Sequence, residues 1–385
     1  MRLLADNPSM DFLRQEAKDV LAALRETDAH ASLSDAQRRL AEEYGYRMWS
    51  ELKAEVERRR EALPAAPEGL ADALSELWGL GAVAALTPLR YEYMGRRWCL
   101  ETANGRYLVT PVFDWICDET AEVAVDLMER ARAAGVLSPL PVRTPEGGLV
   151  RRTHEQNWRV DEWIDLGPTP GEPLQGSVAR QLGALLAAIH SVAPRTDQPI
   201  VGAWVADRPS QESWASLATS ARAAKTPWAD EFAALSRNVA ELSKITAGPG
   251  DERIIGNRDV QPSTVRVGPG GDLVVIHWDF AGPTTKETEL ANLVSAVGLH
   301  SPTLARAVIE GYNERARGEL PKLTLSSFAG IVTSWLTWAN HRACELTGSV
   351  ATDEQRAFAE RSLREVLDDP LTVDQLQELL DAVTS

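Results

Sequence analysis

The chain has 385 residues, 44% of them hydrophobic, which is enough for more than one domain with a substantial core. With 40 basic residues against 56 acidic ones the net charge is −16, which repels a phosphate backbone and argues against nucleic acid as the main partner. Cys99, Cys117 and Cys344 have neither metal nor disulfide spacing, the amino terminus lacks the apolar core of a signal peptide, and no stretch is apolar enough for a membrane span, so a soluble cytoplasmic protein is expected.

Residues 1–62 read as a helical module, a surface that would suit a protein partner. Ala17, Val20, Leu21 and Leu24 recur at roughly helical spacing, Ser34 is the expected cap of a second helix, and Gly45 the expected break before a third. The run LPAAPEG at 63–69 is rich in proline and small residues and reads as a linker. A small β-rich lobe is expected over 70–166. It would hold a helix from Leu70 to Leu80, strands over 90–102 and 105–113 joined by Ala103-Asn104-Gly105, and a helix from Asp118 to Ala134 stopped by Gly135. Residues 149–166 read as strands that lead into a large, mainly helical lobe over 167–385, whose first helix carries Gly183 and His190.

Tryptophan is frequent, with 12 against 6 Tyr and 6 Phe. Trp204, Trp214 and Trp228, and then Trp335 and Trp338 on one helix face, are expected as packing residues, with a stacked planar or sugar ligand as the second choice.

Residues 253–283, RIIGNRDVQPSTVRVGPGGDLVVIHWDFAGP, are the most informative segment. Val265-Arg266-Val267 and Leu273-Val274-Val275-Ile276 flank the turn signal Gly268-Pro269-Gly270-Gly271-Asp272, which predicts a β-hairpin. Asp259 just before one strand and His277 and Asp279 just after the other then fall at the same end, as a proton acceptor and a metal ligand would. Read alone, Asp259 could instead brace its own loop and His277 could be a satisfied structural histidine.

The stretches Asn257 to Thr264 and Ile276 to Pro283 resemble the H-x-D-x-x-x-x-N and I-D-W-[DE] motifs of the aminoglycoside phosphotransferase and choline kinase family, relatives of the protein kinases. TANGRYLV upstream, and Glu289-Leu290-Ala291, VIEGYNERA and SWLTWANHRACEL downstream, extend the resemblance over about residues 70–370. It implies an α+β, bilobal protein-kinase-like fold preceded by a helical extension, with ATP and Mg2+ as cofactors and a small-molecule or peptide ligand. It also implies that Asp259 is the catalytic base and that Glu162, Trp163 and Ile164 hold the adenine by backbone hydrogen bonds. Three family positions depart from the pattern: Thr110 matches the phosphate-contacting lysine, Thr264 the metal-binding asparagine and His277 the metal-binding aspartate. The resemblance therefore leaves two expectations open, a pseudokinase that retains a binding cleft, or an active enzyme with Asp279 as a relocated metal ligand.

Overall fold

The computed structural model describes residues 10–27, 31–61, 65–92, 95–167, 169–170, 174–201, 206–248, 252–268, 270–317, 320–348 and 352–384. Trp204 and the start of the expected linker, 63–64, lie outside them. Backbone contacts group the chain into two compact units, one of Met1–Phe113 with Val142–Trp163, the other of Asp114–Pro141 with Ile164–Ser385.

This division differs from the sequence-based boundaries at 62, 69 and 166. The amino-terminal helices group with the sheet, and the helix after Cys117 groups with the second unit. The physical reason for the second change is burial. Ala124, Leu127, Met128 and Ala131 of that helix share one apolar core with Leu182, Leu186 and Ile189.

In the first unit, α1 (Met10–Thr27), α2 (Leu33–Glu43) and α3 (Trp49–Glu61) gather around Leu13, Ala41, Leu52 and Val56. Ser32, not Ser34, caps α2. Its hydroxyl accepts from the Asp35 N–H while the Asp35 carboxylate accepts from the Ser32 N–H, a reciprocal box that the acid three residues on selects. Gly45 does break the chain between α2 and α3, with φ +84.

The helix α4 (Leu70–Trp78) covers one face of a five-stranded antiparallel sheet in the order β1-β2-β3-β5-β4. The strands are β1 (Val83–Glu92), β2 (Gly95–Thr102), β3 (Gly105–Val112), β4 (Val150–Thr153) and β5 (Gln156–Glu162). The single strand expected over 90–102 is thus the end of β1 followed by β2. The first part of β1 goes unpredicted because Ala84, Ala85 and Pro88 hide the alternation.

Leu70, Leu74 and Trp78 pack against Trp98, Leu100, Val109, Trp158 and Val160, which defines the apolar face of the sheet. Alternation sends Arg97, Thr110, Arg159 and Asp161 to the other face. All four are buried, Thr110 completely.

The second unit contains α5 (Asp118–Ala133), α6 (Gly176–Val192), α7 (Gln211–Ala223), α8 (Ala229–Ala234) and α9 (Ser236–Leu242). Four short strands follow, β6 (Arg253–Gly256), β7 (Val265–Val267), β8 (Leu273–Val275) and β9 (Gly282–Thr285). The chain ends with α10 (Lys286–Gly298), α11 (Pro302–Ala316), α12 (Ala329–Thr347), α13 (Asp353–Asp368) and α14 (Val373–Thr384).

Trp214, Trp228, Trp335 and Trp338 are packing residues. Trp214 stacks on Phe232 with ring centroids 4.1 Å apart, and Trp335 lies 6.4 Å from Trp214. Trp338 turns instead to Phe358 and to the Arg342 guanidinium, 4.3 Å above its ring, so the two tryptophans of α12 serve different partners. No helix among the described residues is long and apolar enough to cross a membrane.

Candidate functional site

The expected hairpin forms, with β7 and β8 paired antiparallel from Val265↔Val275 to Val267↔Leu273. A second pairing, β6 with β9, was not expected and closes the same segment from outside, Gly256 opposite Gly282. Together they hold the loop 257–264 and the stretch 276–281 side by side. Asn257, fully buried, ties them: its Nδ2 donates to the His277 carbonyl at 2.8 Å and its Oδ1 accepts from the Asp259 N–H at 2.9 Å.

Arg258 adopts φ +65, a left-handed conformation that an arginine rarely takes and that neighbours must hold in place. Its N–H donates to Glu289 Oε1, its Nε to the Phe280 carbonyl, and its Nη1 to the Pro283 carbonyl at 3.4 Å. Burial pulls the guanidinium down to about 10, so it stays charged at neutral pH. The strained residue beside Asp259 is thus bound at both its backbone and its side chain.

The structure brings Asp259, Thr264 and His277 together. Asp259 Oδ1 accepts from Gln261 Nε2 at 2.8 Å, and its Oδ2 lies 3.6 Å from His277 Nδ1. Burial pushes the Asp259 carboxyl up from its ordinary range, His277 and Gln261 pull it partly back, and the charge of Asp279 adds to the rise. A carboxyl raised by folding binds its proton more tightly folded than unfolded, so it costs stability as pH rises above the ordinary 3.8. Asp259→Asn is therefore expected to be more stable than the wild type at pH 7. Urea unfolding across pH checks this, and the gap should close as the pH falls toward 3.8.

Thr264 sits where a metal-binding side chain was expected, yet its hydroxyl turns into its own loop. It donates toward the Asp259 and Gln261 carbonyls and accepts the Gln261 N–H at 3.1 Å. Thr110 lies in the other unit, on β3, directly opposite Arg159 of β5. Of the hinge candidates, Glu162 ends β5 opposite Tyr107, and the Arg106 guanidinium stands 5.2 Å over the Trp163 ring. The two units divide between Trp163 and Ile164.

Behind the loop runs a buried chain that sequence reasoning missed. Glu289 on α10 accepts the Arg258 N–H and the His190 Nε2–H, the latter at 2.8 Å, and Tyr312 donates its hydroxyl to His190 Nδ1 at 2.8 Å. These proton positions follow from the network, since a carboxylate can only accept. Gly256 makes room for it: a Cβ there would lie 2.1 Å from Glu289 Oε2 and 2.5 Å from Thr284 Cγ2. Gly256→Ala is expected to cost about 1–3 kcal/mol in urea unfolding. A change under about 0.5 kcal/mol, the range of ordinary surface substitutions, would contradict that account.

The model of the phosphotransferase enzyme family named APH matches residues 85–323, more than half of the chain. The chain belongs to that family. Its fold is shared with solved members. Spectinomycin phosphotransferase APH(9)-Ia, crystallised with ADP and spectinomycin, is 15% identical with a TM-score of 0.60, covering 83% of this chain and 100% of that one. Amicoumacin kinase hAmiN, in complex with AMP-PNP, Ca2+ and Ami, is 14% identical with a TM-score of 0.53, over 86% of this chain and 100% of the other. Choline kinase LicA from Streptococcus pneumoniae is 16% identical with a TM-score of 0.51, over 78% and 100%. At these identities the likeness establishes the phosphotransferase fold. No curated protein is similar enough in sequence to count as a relative.

Within that fold, the donors do not fit the Mg2+ that the family's motifs imply. Magnesium wants oxygen ligands in a near-octahedral shell, whereas the Thr264 hydroxyl is spent on its own loop and His277 offers an imidazole that suits zinc or copper. Asp279 contributes one carboxylate two residues further on. Among the described residues no group of three or more His, Cys, Asp and Glu side chains is placed to hold a metal. The sheet face that bears Thr110 carries two buried arginines, Arg97 and Arg159, the second of them paired with Asp161.

Proposed function

We propose that this member of the phosphotransferase family binds a nucleotide together with a small-molecule or peptide ligand in the cytoplasm, and that its phosphoryl transfer is impaired. One observation carries this: the side chains at the two metal-ligand positions are engaged by the catalytic loop itself, Thr264 with the loop carbonyls and His277 beside Asp259. Phosphoryl transfer is catalysed mainly by positioning and by cations that neutralise the phosphates. Loss of one preorganised group typically costs on the order of 10²-fold, so several such losses leave little turnover even when their effects overlap. Nucleotide binding is less demanding, since the adenine can be held by backbone groups. Relatives of the same fold were crystallised with ADP and AMP-PNP, which supports a nucleotide as the ligand.

A second reading has its own observation. The charge of Asp279 reaches Asp259 and helps raise its carboxyl, as a base working near neutral pH would need. In that case the chain is an active ATP-dependent phosphotransferase acting on a hydroxyl of an antibiotic-like or metabolite acceptor, with Asp279 as the metal ligand.

A thermal-shift titration separates the two. ATP is expected to raise the melting temperature by several degrees at saturating concentration, equally with magnesium and with a chelator. A stabilisation that requires magnesium and disappears in Asp279→Ala would overturn the first reading in favour of the second.

A further inference from the structure

The family's sheet lysine is missing at Thr110, and a buried arginine, Arg159, stands on the neighbouring strand. In the β3–β5 ladder Thr110 stands directly opposite Arg159, and Leu108 directly opposite Asp161. Residues facing each other across an antiparallel pair project to the same side with Cβ atoms about 4.5–5.5 Å apart. Arg159 and the residue at position 110 therefore rise from adjacent points on one face of the sheet.

The surroundings of Arg159 hold it in place. Its Nε donates to Asp161 Oδ1 at 2.9 Å and its Nη2 to Asp161 Oδ2 at 3.3 Å, a two-point pairing that fixes the guanidinium plane. Asp161 is two residues along the same strand, so both side chains share the Thr110 face. Arg97 joins them from β2, next to Trp98, which pairs with Val109 and points to the opposite, apolar face. Among the described residues of this unit, Arg97, Arg159 and Asp161 are the buried charged side chains, and all three lie on that one face. A buried ion pair adds little net stability over a well-packed apolar pair, so stability alone does not account for the placement.

We infer that Arg159, braced by Asp161, is the cation that contacts the polyphosphate of a bound nucleoside triphosphate, in the role for which the family uses a lysine one strand away. The pair would replace the family's ion pair between that lysine and a helix acid, with both partners now on β5. An arginine suits the exchange, because its planar guanidinium is always charged and matches the geometry of a phosphate as well as that of a carboxylate. This inference rests on the nucleotide-binding reading above and goes beyond it by naming the residues.

The test is equilibrium binding of ATP and of adenosine, both in chelator so that no metal enters. The variant Arg159→Met with Asp161→Leu removes both charges and leaves neither buried alone. It is expected to lose about 10- to 100-fold in ATP affinity and to keep its affinity for adenosine, the size of effect for a lost hydrogen bond to a charged group. Adding Thr110→Lys to that variant is expected to regain most of the loss. Where the apolar pair unfolds the protein, Arg159→Lys is measured instead, with a several-fold loss for ATP and none for adenosine expected. ATP binding unchanged by these substitutions, or a loss shared equally by adenosine, would overturn the role of Arg159 while leaving nucleotide binding intact. A wild-type protein that binds neither ligand would sink the nucleotide reading itself, and the inference with it.

Discussion

Glu289→Ala is expected to destabilise the second unit by about 3–5 kcal/mol, read as a shift in the urea midpoint at unchanged slope. Glu289 is buried and is the shared acceptor of two donors, the backbone N–H of Arg258 and the His190 imidazole. Truncation leaves both unsatisfied in a closed environment at about 1–3 kcal/mol each and adds a cavity. Glu289→Gln, which keeps one acceptor and turns an amide donor toward the other partner, should cost less than half as much. The consequence reaches the site because Arg258 holds φ +65 immediately before Asp259. Without its anchor that residue relaxes and Asp259 moves with it. A loss below about 1 kcal/mol for Glu289→Ala would show that the network does not hold the loop.

Gly311→Ala is expected to cost about 3 kcal/mol or more, the upper end of what overpacking does. A Cβ at 311 would lie 1.9 Å from the Arg180 carbonyl oxygen, and on the facing helix a Cβ at 183 would lie 2.0 Å from the Val308 carbonyl. In both cases the obstacle is backbone, which cannot swing aside as a side chain can. The helices α6 and α11 must therefore part. That separation would pull Tyr312 on α11 away from His190 on α6, now 2.8 Å apart, and so loosen the same chain that ends at Arg258. Thermal denaturation of Gly311→Ala and of Gly183→Ala should show similar losses, and a double variant should lose less than the sum because both act on one contact. Melting temperatures within a degree of the wild type would contradict so close an approach.

The parts of this fold that were readable beforehand are those encoded locally. The turn at Gly268–Asp272 announces the β7–β8 hairpin, and the alternation on either side sets its register, so Asp259 and His277 could be placed at one end before any coordinates. The packing of Trp214 and Trp228 was also legible, since a large ring in a helical region is usually core. What escaped notice depends on distance along the chain. His190 reaches Glu289 across 99 positions and Tyr312 across 122, and no spacing rule marks such a trio. Arg159 falls within the strands expected over 149–166, and only the ladder sets it opposite Thr110. Local chemistry misled at fine scale in α2, where Ser32 rather than Ser34 is the cap, because of two serines two residues apart only Ser32 has an acid three residues on.

The most direct test of the central claim, that the frame of a phosphotransferase persists here while its hold on magnesium has lapsed, is ADP release from ATP with water as the acceptor. It would be measured with and without magnesium in the wild type, in Asp259→Asn, and in Thr264→Asn combined with His277→Asp. The wild type is expected to match Asp259→Asn under both conditions, whereas the restored pair should respond to magnesium by about 10²-fold. Magnesium-dependent release by the wild type that Asp259→Asn abolishes would contradict it.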